Sequence, residues 1–188
     1  MSEKYTARRI VMESLPLLLG VAILSIISGQ VLQGHETLLL SLPVFLLIVP
    51  AFVNQSGDIA AVLASRITTE LYTGSTQNSI LKSDNLMGSV LGLLLSSSIG
   101  FTFLTVLSYS VSMLLGFNTL PFGTLWTIIL LSGITTILAV MVVGLIVAVI
   151  TFRKGLDPDN FSAPVVTTTS DVIGIFLLFM FAGLLGGI

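Results

Sequence analysis

Long apolar stretches alternate with short polar segments along the whole chain. A helix needs about 20 apolar residues, with a range of about 17 to 25, to cross the hydrocarbon core of a bilayer. The stretches that reach this length lie at about residues 15–31, 38–65, 86–115, 125–152 and 163–187. The pattern therefore predicts an all-α integral membrane protein, with five transmembrane helices in a single domain over residues 1–188.

The composition agrees with a lipid bilayer as the surrounding medium. Hydrophobic residues make up 54% of the chain and charged residues only 9%, too few to cover a soluble protein. We expect no soluble catalytic or sensory domain, and the polar start, residues 1–9, lacks the features of a removable signal peptide. The absence of cysteine excludes disulfides and thiolate metal sites. A net charge of −2 without a basic cluster argues against nucleic acid as a partner.

The basic residues predict the orientation of the chain. With five spans, the N-terminus and the segments near residues 66–84 and 153–160 share one side of the membrane. All 7 Lys and Arg residues fall on that side: Lys4, Arg8, Arg9, Arg66, Lys82, Arg153 and Lys154. Cytoplasmic loops carry such an excess of basic residues, so we predict a cytoplasmic N-terminus and an external C-terminus. We expect a multi-pass protein of the plasma or inner membrane.

Two carboxylates lie inside the predicted spans. Asp171 is the only charged residue between Val165 and Ile188, and Asp58 precedes Arg66 in the second span. At about 1.5 Å per helical residue, each lies about 12 Å from the basic end of its span. An ionised carboxylate at a membrane helix centre costs about 2.5 to 3.5 kcal/mol, and two at one depth repel each other without an intervening proton or cation. The pair therefore indicates an ion pathway.

A polar segment in the second span supports this interpretation. Asn54, Gln55, Ser56 and Asp58 surround Gly57, a residue whose backbone can leave the helix. We predict an interruption of the helix here, with backbone carbonyls freed to bind a cation, because irregular backbone at membrane depth can line a water-filled path. The second and fifth spans are then the predicted walls of a pore.

Simpler interpretations of the same residues stay open at this point. Asp171 could cap a fifth helix that begins at Val172, with residues 167–170 as a linker at the membrane interface. Asp58 could be the N-cap of a half-helix on the cytoplasmic side. Asn54 and Gln55 could serve only as hydrogen-bonding groups between helices.

Two segments resemble signatures of one transporter family. The segment "SGDIAAVLASRITTELYTG", preceded by Pro50, is similar to the second-helix signature of the MgtE magnesium channels and transporters and their eukaryotic solute-carrier relatives. The segment "LDPDNFSAPVVTTTSDVIGIFLL" is similar to their fifth-helix signature, a DPDN-x-x-x-P turn followed by an intramembrane aspartate. Five spans with a cytoplasmic N-terminus also match the family, so the resemblance covers nearly the whole chain.

The resemblance implies an MgtE-like membrane domain in which Asp171 is the pore carboxylate that binds hydrated magnesium. It also implies a two-fold homodimer, which would bring a second Asp171 to the axis. The family's Gly-Asn pair falls on Gly57 and Asp58, so this chain has a carboxylate where the family usually has an amide. Bacterial members carry soluble magnesium-sensing domains before the membrane part. Nothing similar is found here, and a separate regulatory subunit could take their place.

The residues around Asp171 also suit magnesium on chemical grounds. Mg²⁺ is a hard cation that takes oxygen ligands in octahedral geometry and keeps several waters. Thr167 and Thr168 lie about one turn before Asp171 and give that helix face oxygen atoms. No Cys or His lies at this depth to favour softer metals. Manganese, cobalt and calcium stay open as alternatives to magnesium. The predicted metal ligands are Asp171, Asp58, Asn54, Gly57, Thr167 and Thr168.

We expect a divalent cation channel or transporter, with Mg²⁺ as the preferred ion, rather than an enzyme. One alternative is a non-conducting half-transporter that requires a paralogous partner. Another is an intramembrane aspartyl protease, which also needs two carboxylates at matched depth. Against the protease, Ser56 and Gly57 precede Asp58 where a GxGD motif requires Gly-x-Gly, and no Tyr precedes Asp171.

Overall fold

Six α-helices form the regular structure in the part of the chain that the computed structural model describes, residues 7–73, 84–154 and 158–187. They are α1 (Ala7–Gln33), α2 (Glu36–Ser41), α3 (Val44–Thr73), α4 (Asp84–Leu115), α5 (Phe122–Arg153) and α6 (Pro158–Gly186). Within the described residues, 5 of these helices, all except α2, are long and apolar enough to cross a membrane. The predicted all-helical, multi-pass membrane fold is therefore confirmed. Lys4 and Lys82, which contributed to the predicted orientation, lie outside the described residues.

The short helix α2 is separate from α3, whereas the sequence predicted one span over residues 38–65. α2 ends at Ser41, and the next residue, Leu42, has a φ of −126° and a ψ of 78°, which are not helical. Pro43 explains the break, because proline has no N–H and disfavours a helical conformation in the residue before it. α3 then continues without a break to Thr73, beyond the predicted end of the span.

The predicted interruption of α3 at residues 54–58 is wrong. The whole segment Val44–Thr73 is α-helical, and the described glycines with positive φ are Gly116 and Gly187. Gly57 is buried against α6, and this packing outweighs its low helix propensity, about 1 kcal/mol relative to alanine. The backbone carbonyls near Gly57 belong to a regular helix. They are therefore not freed to bind a cation, as the sequence had led us to expect.

Successive long helices from α3 to α6 run antiparallel, because later residues of one helix meet earlier residues of the next. For example, Phe52 of α3 contacts Phe101 of α4, whereas Ile67 of α3 clusters with Leu93 of α4. The α4–α5 and α5–α6 contacts show the same order.

One end of the bundle therefore holds the ends of α3 and α5 and the starts of α4 and α6. Arg66, Arg153 and Lys154 are exposed at this end, which we call the basic end. At the opposite end, α4 stops where Gly116 adopts a φ of 70°, a left-handed conformation that favours glycine.

The helix α6 packs against α5, α3 and α1, while α3 also packs against α4 and α5. Two close approaches depend on glycine. A side chain on Gly133 of α5 would overlap the ring of Phe101 of α4, and a β-carbon on Gly174 of α6 would lie 3.3 Å from Cε1 of Phe52 of α3. The rings of Phe52 and Phe101 contact each other, with centroids 5.3 Å apart. The Gly174 contact therefore holds α6 against α3, and the two rings and Gly133 connect α3 to α4 and α5.

Candidate metal site

Asp171 lies in the interior of α6, where its side chain is partly buried. Gly57 of α3 is its neighbour, because a β-carbon placed on Gly57 would lie 3.8 Å from Oδ1 of Asp171 and 3.9 Å from Cβ of Thr167. Since glycine has no side chain, space remains beside the carboxylate. The structure thus brings Gly57, Thr167 and Asp171 together where α3 meets α6.

The two predicted threonine ligands have different surroundings. Thr167 is partly buried, and its hydroxyl donates to the carbonyl oxygens of Ala163 at 3.0 Å and Pro164 at 3.1 Å. Thr168 is buried, and its hydroxyl donates to the carbonyl oxygen of Pro164 at 2.9 Å. Because both hydroxyl protons are donated within α6, only the oxygen lone pairs remain to accept a hydrogen bond or bind a cation. Of the two threonines, Thr167 is the one that lies beside Gly57, as Asp171 does.

Asn54 and Asp58 lie on the outer face of α3, where both side chains are exposed in the single chain. The Nδ2 of Asn54 donates to Oδ2 of Asp58 at 3.5 Å, one helical turn away. Asp58 directly follows Gly57 and therefore lies at about the depth of Asp171. The surroundings of the two carboxylates nevertheless differ, because Asp58 is exposed and Asp171 is partly buried against α3.

The helix-capping interpretations of the two acids are wrong. The helix α6 begins at Pro158, well before Asp171, and proline is common at the first position of a helix. Asp58 lies in the interior of α3 and does not start a half-helix. Capping therefore does not account for a carboxylate in either membrane span.

Two buried serines, Ser56 and Ser170, adjoin the predicted ligands. Ser170 was not predicted as a site residue, and Ser56 was considered only as part of a polar segment. Both side chains have 0% exposure, and their Oγ atoms have no hydrogen-bond partner among the described residues. The only signal in the sequence is that Ser56 precedes Gly57 and Ser170 precedes Asp171.

A single chain offers few charged ligands for a metal ion. Over residues 7–73, 84–154 and 158–187, no group of three His, Cys, Asp or Glu side chains could hold one. The groups around Asp171 are one carboxylate and hydroxyl oxygens, with space for water. Such a set suits a hard cation that keeps part of its hydration shell.

Comparison with known protein families identifies the class of protein. The family model MgtE, described as a divalent cation transporter, matches residues 49–181. This region contains most of α3, all of α4 and α5, and most of α6, and it includes every predicted metal ligand. No curated protein sequence matches the chain significantly. Because the matched region covers more than half of its length, the chain belongs to the MgtE family of divalent cation transporters.

Proposed function

We propose that this protein conducts or transports Mg²⁺ along a path beside α3 and α6, with Asp171 as the principal ligand. The contact between Gly57 and Asp171 is the observation that carries the proposal. It combines a carboxylate in a membrane span with an adjacent space that no side chain fills. Membership of a divalent cation transporter family supports the class of ion, and the ligand chemistry supports Mg²⁺ within that class.

The ligand chemistry favours a hydrated, hard cation. Mg²⁺ commonly binds proteins through one or two carboxylates and retains several waters. In the proposed site, Asp171 supplies the negative charge, the oxygen of Thr167 accepts a hydrogen bond from a cation-bound water, and Gly57 leaves room for that water. The side chain of Thr168 is only 5% exposed, so its oxygen is less accessible to a cation-bound water than that of the partly buried Thr167.

A second copy of this chain is the partner that best explains the outer face of α3. Asn54 and Asp58 are exposed there, in line with the exposed apolar residues Leu46 and Val62. A charged side chain that faces lipid at a helix centre costs about 2.5 to 3.5 kcal/mol. In a two-fold homodimer, packing this face against its own copy would remove Asp58 from lipid. It would also bring two Asp171 carboxylates near one axis.

The basic end is the proposed cytoplasmic end. Arg66, Arg153 and Lys154 lie there, and cytoplasmic loops of membrane proteins carry an excess of basic residues. The N-terminus would then be cytoplasmic and the C-terminus external, in a plasma or inner membrane. An inside-negative membrane potential favours influx of a doubly charged ion, with a free energy of about 4.6 kcal/mol per 100 mV.

Flux of Mg²⁺ into liposomes that contain the purified protein tests the proposal. Asp171→Asn keeps the size of the side chain and removes its charge. We expect Mg²⁺ flux to fall by at least about tenfold, because an interaction with a charged group contributes about 1.5 to 3 kcal/mol. Glu36→Gln is the matched control, since Glu36 is an exposed carboxylate in the short helix α2. Wild-type flux in Asp171→Asn would refute the role of this carboxylate.

The same assay distinguishes the half-transporter. A folded wild-type protein that conducts no Mg²⁺ by itself would indicate that a paralogous subunit is required. Under the transporter proposal, the wild-type protein conducts alone and Glu36→Gln retains that flux.

A further inference from the structure

Buried hydroxyls without partners are concentrated on two helices, α3 and α6. In the described part of the chain, the buried side-chain oxygens without a hydrogen-bond partner belong to Ser56, Thr68, Ser112, Ser162 and Ser170. Four of these five residues lie on α3 or α6. Many other hydroxyls in the bundle donate to a carbonyl of their own helix, as Thr105 does to Phe101 at 2.8 Å. An unsatisfied buried hydroxyl costs about 1 to 3 kcal/mol, so the concentration indicates a bound partner.

Several contacts define the register of α3 against α6 around two of these serines. At one contact, the β-carbon position of Gly174 lies 3.3 Å from Cε1 of Phe52. Further along, Ala60 and Val166 share one buried cluster with Val140 of α5. Between these positions, Gly57 lies against Asp171 and Thr167. Phe52 and Ala60 are two helical turns apart, and so are Val166 and Gly174. The helices are therefore in contact over this whole interval.

Ser56 and Ser170 lie midway along this interval. Ser56 is one turn from the α3 residues at its two ends, and Ser170 is one turn from the α6 residues at its two ends. Residues about one turn apart share a helix face, so the two serines occupy the same layer between α3 and α6. Both have 0% exposure, and neither hydroxyl bonds to another described residue.

The serine layer directly adjoins the candidate metal site. Ser56 precedes Gly57 on α3, and Ser170 precedes Asp171 on α6. Because both segments are regular helix, the separation of the helices at the serines also sets the distance between Gly57 and the carboxylate.

We propose that Ser56 and Ser170 form a shared water-binding site that positions Asp171 against Gly57. A buried water makes about two to four hydrogen bonds, and a hydroxyl can donate to it or accept from it. One water between the serines would satisfy both hydroxyls and hold α3 and α6 at a fixed separation. The serines are positioning residues, since they act through Asp171. The inference rests on the proposed passage of a divalent cation past this carboxylate.

Introduced thiols test whether the serines face each other, since the natural chain contains no cysteine. In the double variant Ser56→Cys/Ser170→Cys, facing thiols should bind Cd²⁺ and raise the thermal unfolding temperature of the purified protein. The two single variants should show no comparable stabilisation. The matched control is Ser112→Cys/Ser170→Cys, because Ser112 is also a buried serine without a partner but lies near the far end of α4. Equal stabilisation of the control pair, or none of the facing pair, would overturn the geometry.

A double-mutant cycle tests whether the serines share one water. Ser56→Ala and Ser170→Ala should each raise the Mg²⁺ concentration for half-maximal flux by about two- to tenfold, the effect of losing one net hydrogen bond. With a shared water, the double variant should resemble a single variant, because either substitution already removes the bridge. Ser112→Ala should change thermal stability and leave this concentration unchanged.

The proposal is overturned if the increases in half-maximal Mg²⁺ concentration caused by Ser56→Ala and Ser170→Ala multiply in the double variant. It is also overturned if neither single variant changes that concentration. These results differ from a failure of the proposed function. Wild-type flux in Asp171→Asn would reject the ion pathway, whereas the Cd²⁺ measurement requires no flux and would still report the geometry of the two serines.

Discussion

The Oδ1 of Asp171 lies against Gly57, 3.8 Å from the position that a β-carbon would take on that glycine. This contact joins α3 and α6 within their membrane-spanning segments and leaves one side of the carboxylate without a covering side chain. Thr167 borders the same space, with its Cβ 3.9 Å from that position. A substitution at Gly57 can therefore change the space beside the carboxylate without changing its charge.

Gly57→Ala should reduce Mg²⁺ flux while preserving the fold. The new methyl group would make ordinary van der Waals contacts at 3.8 and 3.9 Å, and alanine favours a helix over glycine by about 1 kcal/mol. The methyl group would, however, replace a water beside the carboxylate. Loss of one hydrogen bond to a charged group, about 1.5 to 3 kcal/mol, predicts a reduction in flux of about tenfold or more. Liposome flux and thermal unfolding measure the two effects.

Gly92→Ala is the matched control for this substitution. Gly92 lies in the interior of α4, and a β-carbon there would meet nothing within 4 Å. The control should conduct like the wild-type protein. Unchanged flux in Gly57→Ala would show that the space beside Asp171 is not used by the ion.

Asp58→Asn should keep the protein active but weaken its apparent affinity for Mg²⁺. An amide is the residue type that the resemblance to the family's Gly-Asn pair implies for this position, and it can retain the hydrogen bond with Asn54. The variant loses one exposed negative charge near Asp171. An exposed charge interaction of about 0.5 to 1 kcal/mol predicts a half-maximal concentration about two- to fivefold higher.

Salt dependence provides the control for Asp58→Asn. In the proposed assembly Asp58 borders the water-filled path of the ion, so the difference from the wild-type protein should be largest at low ionic strength, because salt screens interactions between charges in contact with water. Flux measured across a range of monovalent salt concentrations tests this. If Asp58→Asn abolished flux as fully as Asp171→Asn, Asp58 would instead be a principal ligand.

Hydropathy predicted the membrane-spanning helices because each one contains a long apolar run. It did not predict their full lengths, since the polar ends of a helix lie outside the apolar part. For example, α6 begins at Pro158, whereas the apolar run begins near Ala163. The break at Pro43 was missed because apolar residues continue on both sides of it. The interruption expected at Gly57 was wrong because packing against α6 outweighs the local preference of glycine.

The depth of the candidate site was predictable, but its lateral arrangement was not. Counting residues along two spans placed Asp58 and Asp171 at one level. The rotation of each helix about its axis decides which residues meet, and this rotation depends on packing of the whole bundle. It places Gly57, rather than Asp58, against Asp171. Similarly, the stacking of His35 on Phe179, with ring centroids 4.3 Å apart, had no signal in the sequence.

Gly133→Ala should destabilise the bundle through a steric conflict away from the candidate ligands. A β-carbon on Gly133 would overlap the ring of Phe101, which is 0% exposed and packs on Phe52. Overpacking of this kind costs about 1 to 3 kcal/mol. Thermal unfolding in detergent or lipid nanodiscs should show the loss. Gly92→Ala, which meets no neighbour, should match or exceed the wild-type stability. Equal stability of the two variants would mean that the Phe101 ring moves without cost.

The exposed face of α3 predicts a cross-link between two copies of the chain. Asn54→Cys introduces one thiol on this face of a protein that otherwise has none. If the faces meet at a two-fold axis, oxidation in the membrane should produce a disulfide-linked dimer, which requires Cα atoms within about 7 Å. Gel electrophoresis without reductant measures the dimer fraction.

Ile99→Cys on α4 is the depth-matched control for this cross-link. Ile99 is 73% exposed, and the adjacent Gly100 contacts Gln55, the residue next to Asn54. Both thiols therefore lie at about the same membrane depth, so random collisions should oxidise them equally. A dimer from Asn54→Cys alone would support a two-fold interface along α3, where each copy shields Asp58 of the other from lipid. A dimer from Ile99→Cys alone would move the interface to α4 and leave the outer carboxylate facing lipid, contrary to the proposed assembly.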